Sequence, residues 1–186
     1  MNFRSYSISI LVLFFFSTQL TAQSAQKPRE VGLQFSSLDF DGGSGFSAFY
    51  KKQLKENVYR RIRLFSGGLS FSSTEETFIF NLNAGIAIGR EKRKSLDPKL
   101  VFYQGPEFSA GFSVSAIDED EMRFSIKPAF GWVFGLQHNF NERWAVNLET
   151  IPGASISVES FSEGESVFSF NAGFNNLVSL GLVRKF

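Results

Sequence analysis

From Arg123 to Phe140 alternate residues form one large, mostly apolar set: Phe124, Ile126, Pro128, Phe130, Trp132, Phe134, Leu136, His138 and Phe140. Between them stand Arg123, Ser125, Lys127, Ala129, Gly131, Val133, Gly135, Gln137 and Asn139. A strict period of two sends neighbouring side chains to opposite faces of a strand and has no helical counterpart, so this stretch is extended. It is far longer than the roughly 5–6 residues usual in soluble proteins. The scheme recurs from Phe78 to Gly89, where Phe78, Phe80, Leu82, Ala84, Ile86 and Ile88 alternate with Ile79, Asn81, Asn83, Gly85, Ala87 and Gly89. It recurs again over Phe108 to Ala116, Trp144 to Val158 and Phe168 to Leu182. After Ala25 no stretch carries a convincing helical period.

The chemistry of the two faces decides which one is inside. A soluble barrel or sandwich turns its apolar set inward and charges outward. Here the face opposite the phenylalanines is mainly Ser, Asn and Gly with few charges, a poor surface for water. Small polar residues suit the narrow interior of an eight-stranded barrel, which side chains just fill. The Phe-rich set then faces lipid, as a transmembrane barrel requires. Composition agrees: 24 Phe and 16 Gly in 186 residues, at a mean hydropathy near zero, exclude a helical membrane protein.

Other classes fall away on single counts. The absence of Cys removes disulfides, thiolate metal sites, cysteine nucleophiles and a lipidated N-terminal Cys. One His cannot form a multi-histidine metal site. With 19 basic against 18 acidic residues, the whole-chain charge makes no case for nucleic acid. No cofactor, no metal and no catalytic group is expected.

Residues 1–22 read as a cleaved signal peptide. Arg4 gives a positive start, Ile8 to Phe16 an apolar run too short to span a bilayer as a helix, and Ala22 a small residue before the cut, with Ala25 as an alternative. Residues 23–29 are a polar lead-in and residues 30–186 the barrel. Eight extended segments follow, near Glu30–Leu38, Gly45–Gln53, Tyr59–Phe71, Thr77–Arg90, Leu100–Ile117, Met122–Phe140, Trp144–Glu159 and Ser166–Phe186. An even number with short connections predicts an all-β, up-and-down antiparallel meander. The alternation slips near Ser36-Ser37 and Gly67-Gly68, where a bulge would restore it.

Charge sorts the two rims. Connections at one end carry Lys51 to Arg63 (net +5), Arg90 to Lys99 (net +3) and the neutral turn at 141–143, joined by Lys27, Arg29, Glu30, Arg184 and Lys185 (net +3). The other end carries Asp39, Asp41, Glu75, Glu76, Asp118 to Glu121, Glu159, Glu163 and Glu165, which is −11 with no basic residue. A missed strand would scramble this segregation. Tyr59, Tyr103, Phe140 and Trp144 lie close to the basic end, where an interfacial aromatic girdle belongs.

An exported chain of eight such segments, ending Val178-Ser179-Leu180-Gly181-Leu182-Val183-Arg184-Lys185-Phe186, resembles the small outer-membrane β-barrel proteins of the OmpX/OmpA-barrel type. It is more similar still to the outer-membrane β-barrel proteins of Bacteroidetes. The resemblance implies a Gram-negative outer-membrane location with basic turns periplasmic and acidic loops extracellular. It also implies a monomer whose partners are outer-membrane lipid, lipopolysaccharide and, during biogenesis, the outer-membrane assembly machinery. Phe186, Leu182, Leu180 and Val178 match the terminal signal that machinery reads, while Arg184 stands where an apolar residue is usual.

Some small outer-membrane barrels are lipid-modifying enzymes that rely on a His near the outer leaflet. His138 lies at the opposite, basic end on the Phe-bearing face, with no Ser two residues away. The paired acids Asp39/Asp41 and Asp118/Asp120 read as solvated loop charges, with divalent-cation or surface-ligand binding as the alternative, and residues 41–45 read as a flexible loop. The small-polar face also carries Glu107, Lys127 and Glu149, with Arg61 and Arg63 less firmly placed there. Unpaired charges in a narrow lumen are costly, so Glu107, Lys127 and Glu149 on segments five to seven are expected to pair as a structural plug. The expectation is a non-enzymatic structural or surface-interaction barrel. Its alternatives are a narrow solute channel and a secreted lipocalin-like carrier of an apolar ligand.

Overall fold

The computed structural model describes residues 27–35, 46–73, 78–117, 121–161, 166–174 and 178–186. The signal segment and the acidic residues Asp39, Asp41, Glu75, Glu76, Asp118, Glu119, Asp120, Glu163 and Glu165 lie outside them. The described residues form strands β1 (Arg29–Phe35), β2 (Phe46–Lys55), β3 (Val58–Ser73), β4 (Phe78–Ser95), β5 (Leu100–Ile117), β6 (Glu121–Asn139), β7 (Trp144–Thr150), β8 (Pro152–Phe161), β9 (Ser166–Phe174) and β10 (Ser179–Lys185). Every pairing is antiparallel; β1 to β6 follow one another in sequence around the wall, and β10 closes the circle on β1. Strands β7 and β8 share one register against β6 and are parted only at Ile151, beside Pro152, which has no N–H for the ladder. They occupy one place in the wall; β9, on β8, and β10, on β7, occupy the next. The result is a closed eight-stranded antiparallel barrel, the architecture the alternation predicts.

The hydrogen-bonded rows set its geometry. One row runs Val31, Tyr50, Ile62, Ile88, Phe108 and reaches β6 at Phe130. Followed the other way, it runs Val31, Arg184, Trp144 and meets β6 at Phe140. The row returns ten residues displaced, which for eight strands means a tilt of about 40° and an interior that side chains fill. Because of this shear, residues that meet inside the lumen are far apart in strand order and register.

Side chains divide as the two-residue period requires. Phe108, Phe112, Phe124, Ile126, Phe130, Trp132, Phe134 and Leu136 are exposed on the outer wall, while Gly131, Val133, Gly135 and Gln137 between them are buried. The apolar set is outside, which overturns the carrier alternative: an apolar ligand needs an apolar interior. A bulge stands where the alternation slips in β3, the register stepping from Ser66↔Ala84 to Gly68↔Asn83. A second, not foreseen, lies between Gln53 and Lys55, and Ser36-Ser37 falls outside the described residues.

The β2–β3 connection is the two-residue turn Glu56-Asn57, with Asn57 at φ 58°. Asn tolerates this left-handed conformation and β-branched residues do not. Asn57→Gly is expected to leave stability within about 0.5 kcal/mol, whereas Asn57→Val is expected to cost about 1–2 kcal/mol. Urea midpoints of the refolded protein in detergent micelles measure both.

Candidate functional site

The inward faces of β1 to β7 carry four cations, Lys51, Arg61, Arg63 and Arg93, and four carboxylates, Glu30, Glu91, Glu107 and Glu149. Formal charge within this ion-paired network therefore cancels. Arg61 is fully buried at the centre. It donates through Nη1 and Nη2 to the two Glu149 carboxylate oxygens at 2.8 and 2.7 Å, a bidentate pairing across the lumen from β3 to β7. Its Nε lies 2.8 Å from Glu107 Oε2, and Nη1 lies 3.6 Å from Glu91 Oε2. Arg63 Nη2 donates to Glu107 Oε1 at 2.5 Å.

A second arginine does the same nearer the chain ends. Arg93 donates to both Glu30 oxygens at 2.8 and 2.7 Å and, through Nε and Nη2, to Glu91 Oε1 at 2.8 and 2.6 Å. Its guanidinium lies 3.7 Å from the Tyr59 ring centroid. Lys51 Nζ joins the two halves, 2.9 Å from Glu91 Oε2 and 4.1 Å from the Tyr103 ring centroid. Neutral groups complete it: Tyr103 O–H donates to Glu149 Oε2 at 2.9 Å and accepts from Asn147 Nδ2 at 2.9 Å. Gln34 Nε2 donates to Ser179 Oγ at 2.6 Å, and Ser179 donates to the Glu149 backbone carbonyl at 3.0 Å. Burying so many charges is tolerable only because each meets an opposite one.

Inward glycines make room for these side chains. A Cβ at Gly135 would lie 2.1 Å from Tyr103 Cζ, and one at Gly32 would lie 2.2 Å from Phe49 Cζ. Tyr103 and Phe49 thus rest over a neighbouring strand's glycine, and small residues stand against large ones in the lumen at this height. Towards the chain ends it opens into a cavity of about 550 Å³ lined by Glu30, Tyr59, Arg93, Gln137, Asn139 and Phe186, among others.

Of the residues singled out from sequence, Arg61, Glu107 and Glu149 come together, with Arg63 beside them. Lys127 does not join them. It is exposed on the inward side of β6 opposite Gly111, four residues beyond the Gly131 that stands beside Glu107, or about 13 Å along the strand. The partner expected from β6 is supplied instead by Arg61 from across the barrel. Lys127→Ala is accordingly expected to shift the unfolding free energy by no more than about 0.5 kcal/mol, read from the same urea midpoints.

The rim charge count includes Glu30, Lys51, Arg61, Arg63, Glu91 and Arg93, which stand in the lumen instead. The signal for β4 is present in the sequence: Glu91 and Arg93 continue the alternate positions of Gly85, Ala87 and Gly89, but the expected segment stops at Arg90 while the strand runs to Ser95. Tyr59 and Tyr103 also turn inward, leaving Trp144 and Phe140 on the outer wall. His138 is exposed on that wall, 5.5 Å from the Phe140 ring in an edge contact. Val178, Leu180, Leu182 and Phe186 are exposed at the barrel's terminal strand. Arg184 fits among them by lying 5.7 Å from the Trp144 ring and 5.0 Å from the Phe186 ring.

An apolar wall around an ionic interior defines a transmembrane-type β-barrel, the fold of the small outer-membrane proteins. No protein-family model matches the chain, and no curated protein matches it. Among solved structures it is similar to Ail, the attachment invasion locus protein of Yersinia pestis, in a complex with the heparin analogue sucrose octasulfate. That match has 11% identity and a TM-score of 0.53, covering 87% of this chain and 99% of that one. It is also similar to a major outer membrane protein from Thermus thermophilus, at 11% identity and a TM-score of 0.49 over 86% and 99% of the two chains. At these identities the likeness to Ail shows the fold alone.

Proposed function

We propose that the chain is an integral outer-membrane β-barrel protein of structural or surface-interaction role, non-enzymatic and closed to solutes by its ionic plug. The observation that carries this reading is the inverted polarity of the wall, apolar outside and ion-paired inside. The exported leader, residues 1–22, supports passage out of the cytoplasm. The charge segregation supports chain ends and basic turns on the periplasmic side and acidic loops outside, where a surface ligand would meet them. The exposed terminal side chains Val178, Leu180, Leu182 and Phe186 are proposed as the signal read during assembly. Outer-membrane lipid and lipopolysaccharide then surround the wall of a monomer.

Membrane fractionation, with gel migration compared before and after boiling, tests the location, and planar-bilayer recording tests the plug. The expected result is a heat-modifiable protein in the outer-membrane fraction that gives no steady conductance. A soluble protein whose migration is indifferent to boiling overturns the reading. Steady conductance replaces the plug with the narrow-channel alternative.

A further inference from the structure

The basic residues of the outer wall gather on one side. Arg29 pairs with Lys52, Lys52 with Arg60 and Arg60 with Arg90 across β1, β2, β3 and β4, so four cations form one cross-strand row on the outward face. Lys92 and Lys94 extend it along β4, and all but the half-buried Arg29 are exposed. Two residues along each strand stands the apolar row Val31, Tyr50, Ile62 and Ile88, which lies on the lipid side of the boundary. At the same end of β6 and β7 the outward positions are Leu136, His138, Phe140, Trp144 and Val146. The outward face of β1 to β4 at this end holds no acid among the described residues, and no ion pair engages Lys52, Arg60, Arg90, Lys92 or Lys94.

Like charges directly opposite in a ladder repel. This row keeps three such pairs in succession, a repulsion that a bound anion would relieve. Cross-strand neighbours are close enough for two side chains to share one phosphate, and long basic side chains reach from an apolar boundary to headgroup level. The occupant of a wall continuous with the apolar band is lipid.

We propose that the outward face of β1–β4 is a binding surface for the headgroup phosphates of anionic phospholipids in the leaflet at the chain ends. The proposal rests on the transmembrane reading above. It gives the barrel a preferred anionic-lipid side, set against an apolar and aromatic side on β6 and β7.

The test is electron spin resonance of the refolded protein in phosphatidylcholine vesicles containing a trace of spin-labelled phosphatidylglycerol or spin-labelled phosphatidylcholine. One basic residue at an anionic lipid surface changes partitioning about fivefold, so the wild type is expected to immobilise phosphatidylglycerol at least about fivefold more than phosphatidylcholine. The combined variant Lys52→Gln, Arg60→Gln, Arg90→Gln and Lys92→Gln is expected to lose that preference while keeping its heat-modifiable migration. Lys127→Gln, which changes an inward charge, is expected to keep it. Equal immobilisation of the two lipids by the wild type, or a preference that survives in the combined variant, overturns the proposal and leaves the membrane reading intact. A chain that immobilises neither lipid and shows no heat shift overturns both.

Discussion

Replacing Arg61 with Met is expected to destabilise the folded barrel by about 3–5 kcal/mol, because it leaves buried carboxylates without their partner. Arg61 meets both Glu149 oxygens, Glu107 and Glu91, and its side chain has no exposure through which water could enter in its place. The measurement is the urea midpoint of the heat-modifiable band in refolded samples. Adding Glu149→Gln to Arg61→Met removes one of the stranded charges and is expected to recover part of the loss. Strict additivity of the two single losses would show that they do not belong to one network. Arg63→Met is expected to cost less, since Arg63 remains partly exposed and pairs with Glu107 through one nitrogen.

The second large effect is expected from Gly135→Val. The new Cβ would sit 2.1 Å from Tyr103 Cζ and 2.4 Å from its hydroxyl oxygen. The Tyr103 ring cannot swing aside freely, because its hydroxyl is held between Glu149 and Asn147. Overpacking a filled interior costs about 1–3 kcal/mol and more where nothing can yield, so the variant is expected to lose at least about 3 kcal/mol or fail to refold. Gly111→Ala is the contrast, since its nearest atom, Phe65 Cε2, is 3.7 Å away, an ordinary contact; its urea midpoint is expected to match the wild type. Adding Tyr103→Ala to Gly135→Val should relieve the clash; a double variant no more stable than Gly135→Val alone would show that the ring is not the obstacle.

Much of the wall is legible residue by residue. In β6 the alternation of Phe124 to Phe140 with Arg123 to Asn139 predicts both the strand and its two faces, and the structure places Phe130 outside and Gly131 inside accordingly. The slip near Gly67 marks a bulge that the β3–β4 register contains. Lumen charges are legible as a type, because a charge on a small-residue face has no water to meet. Their partners are not. Pairing on adjacent strands is the natural expectation for Glu107, Lys127 and Glu149, yet in a closed barrel side chains meet through the lumen at equal height. Height depends on the shear, and a row displaced by ten residues brings Arg61 of β3 against Glu149 of β7 while leaving Lys127 well beyond them.

Local sequence is enough for the extended architecture, the eight places in the wall and the inversion of its faces. Those follow from a period of two and from which residues share it. Only the assembled barrel brings Lys51, Glu91, Arg93 and Glu30 together in one network, makes Arg61 its centre, and stands Arg29, Lys52, Arg60 and Arg90 in one row. Closure, tilt and register are collective properties of all the strands, and no single segment encodes the height at which its side chains meet those of another.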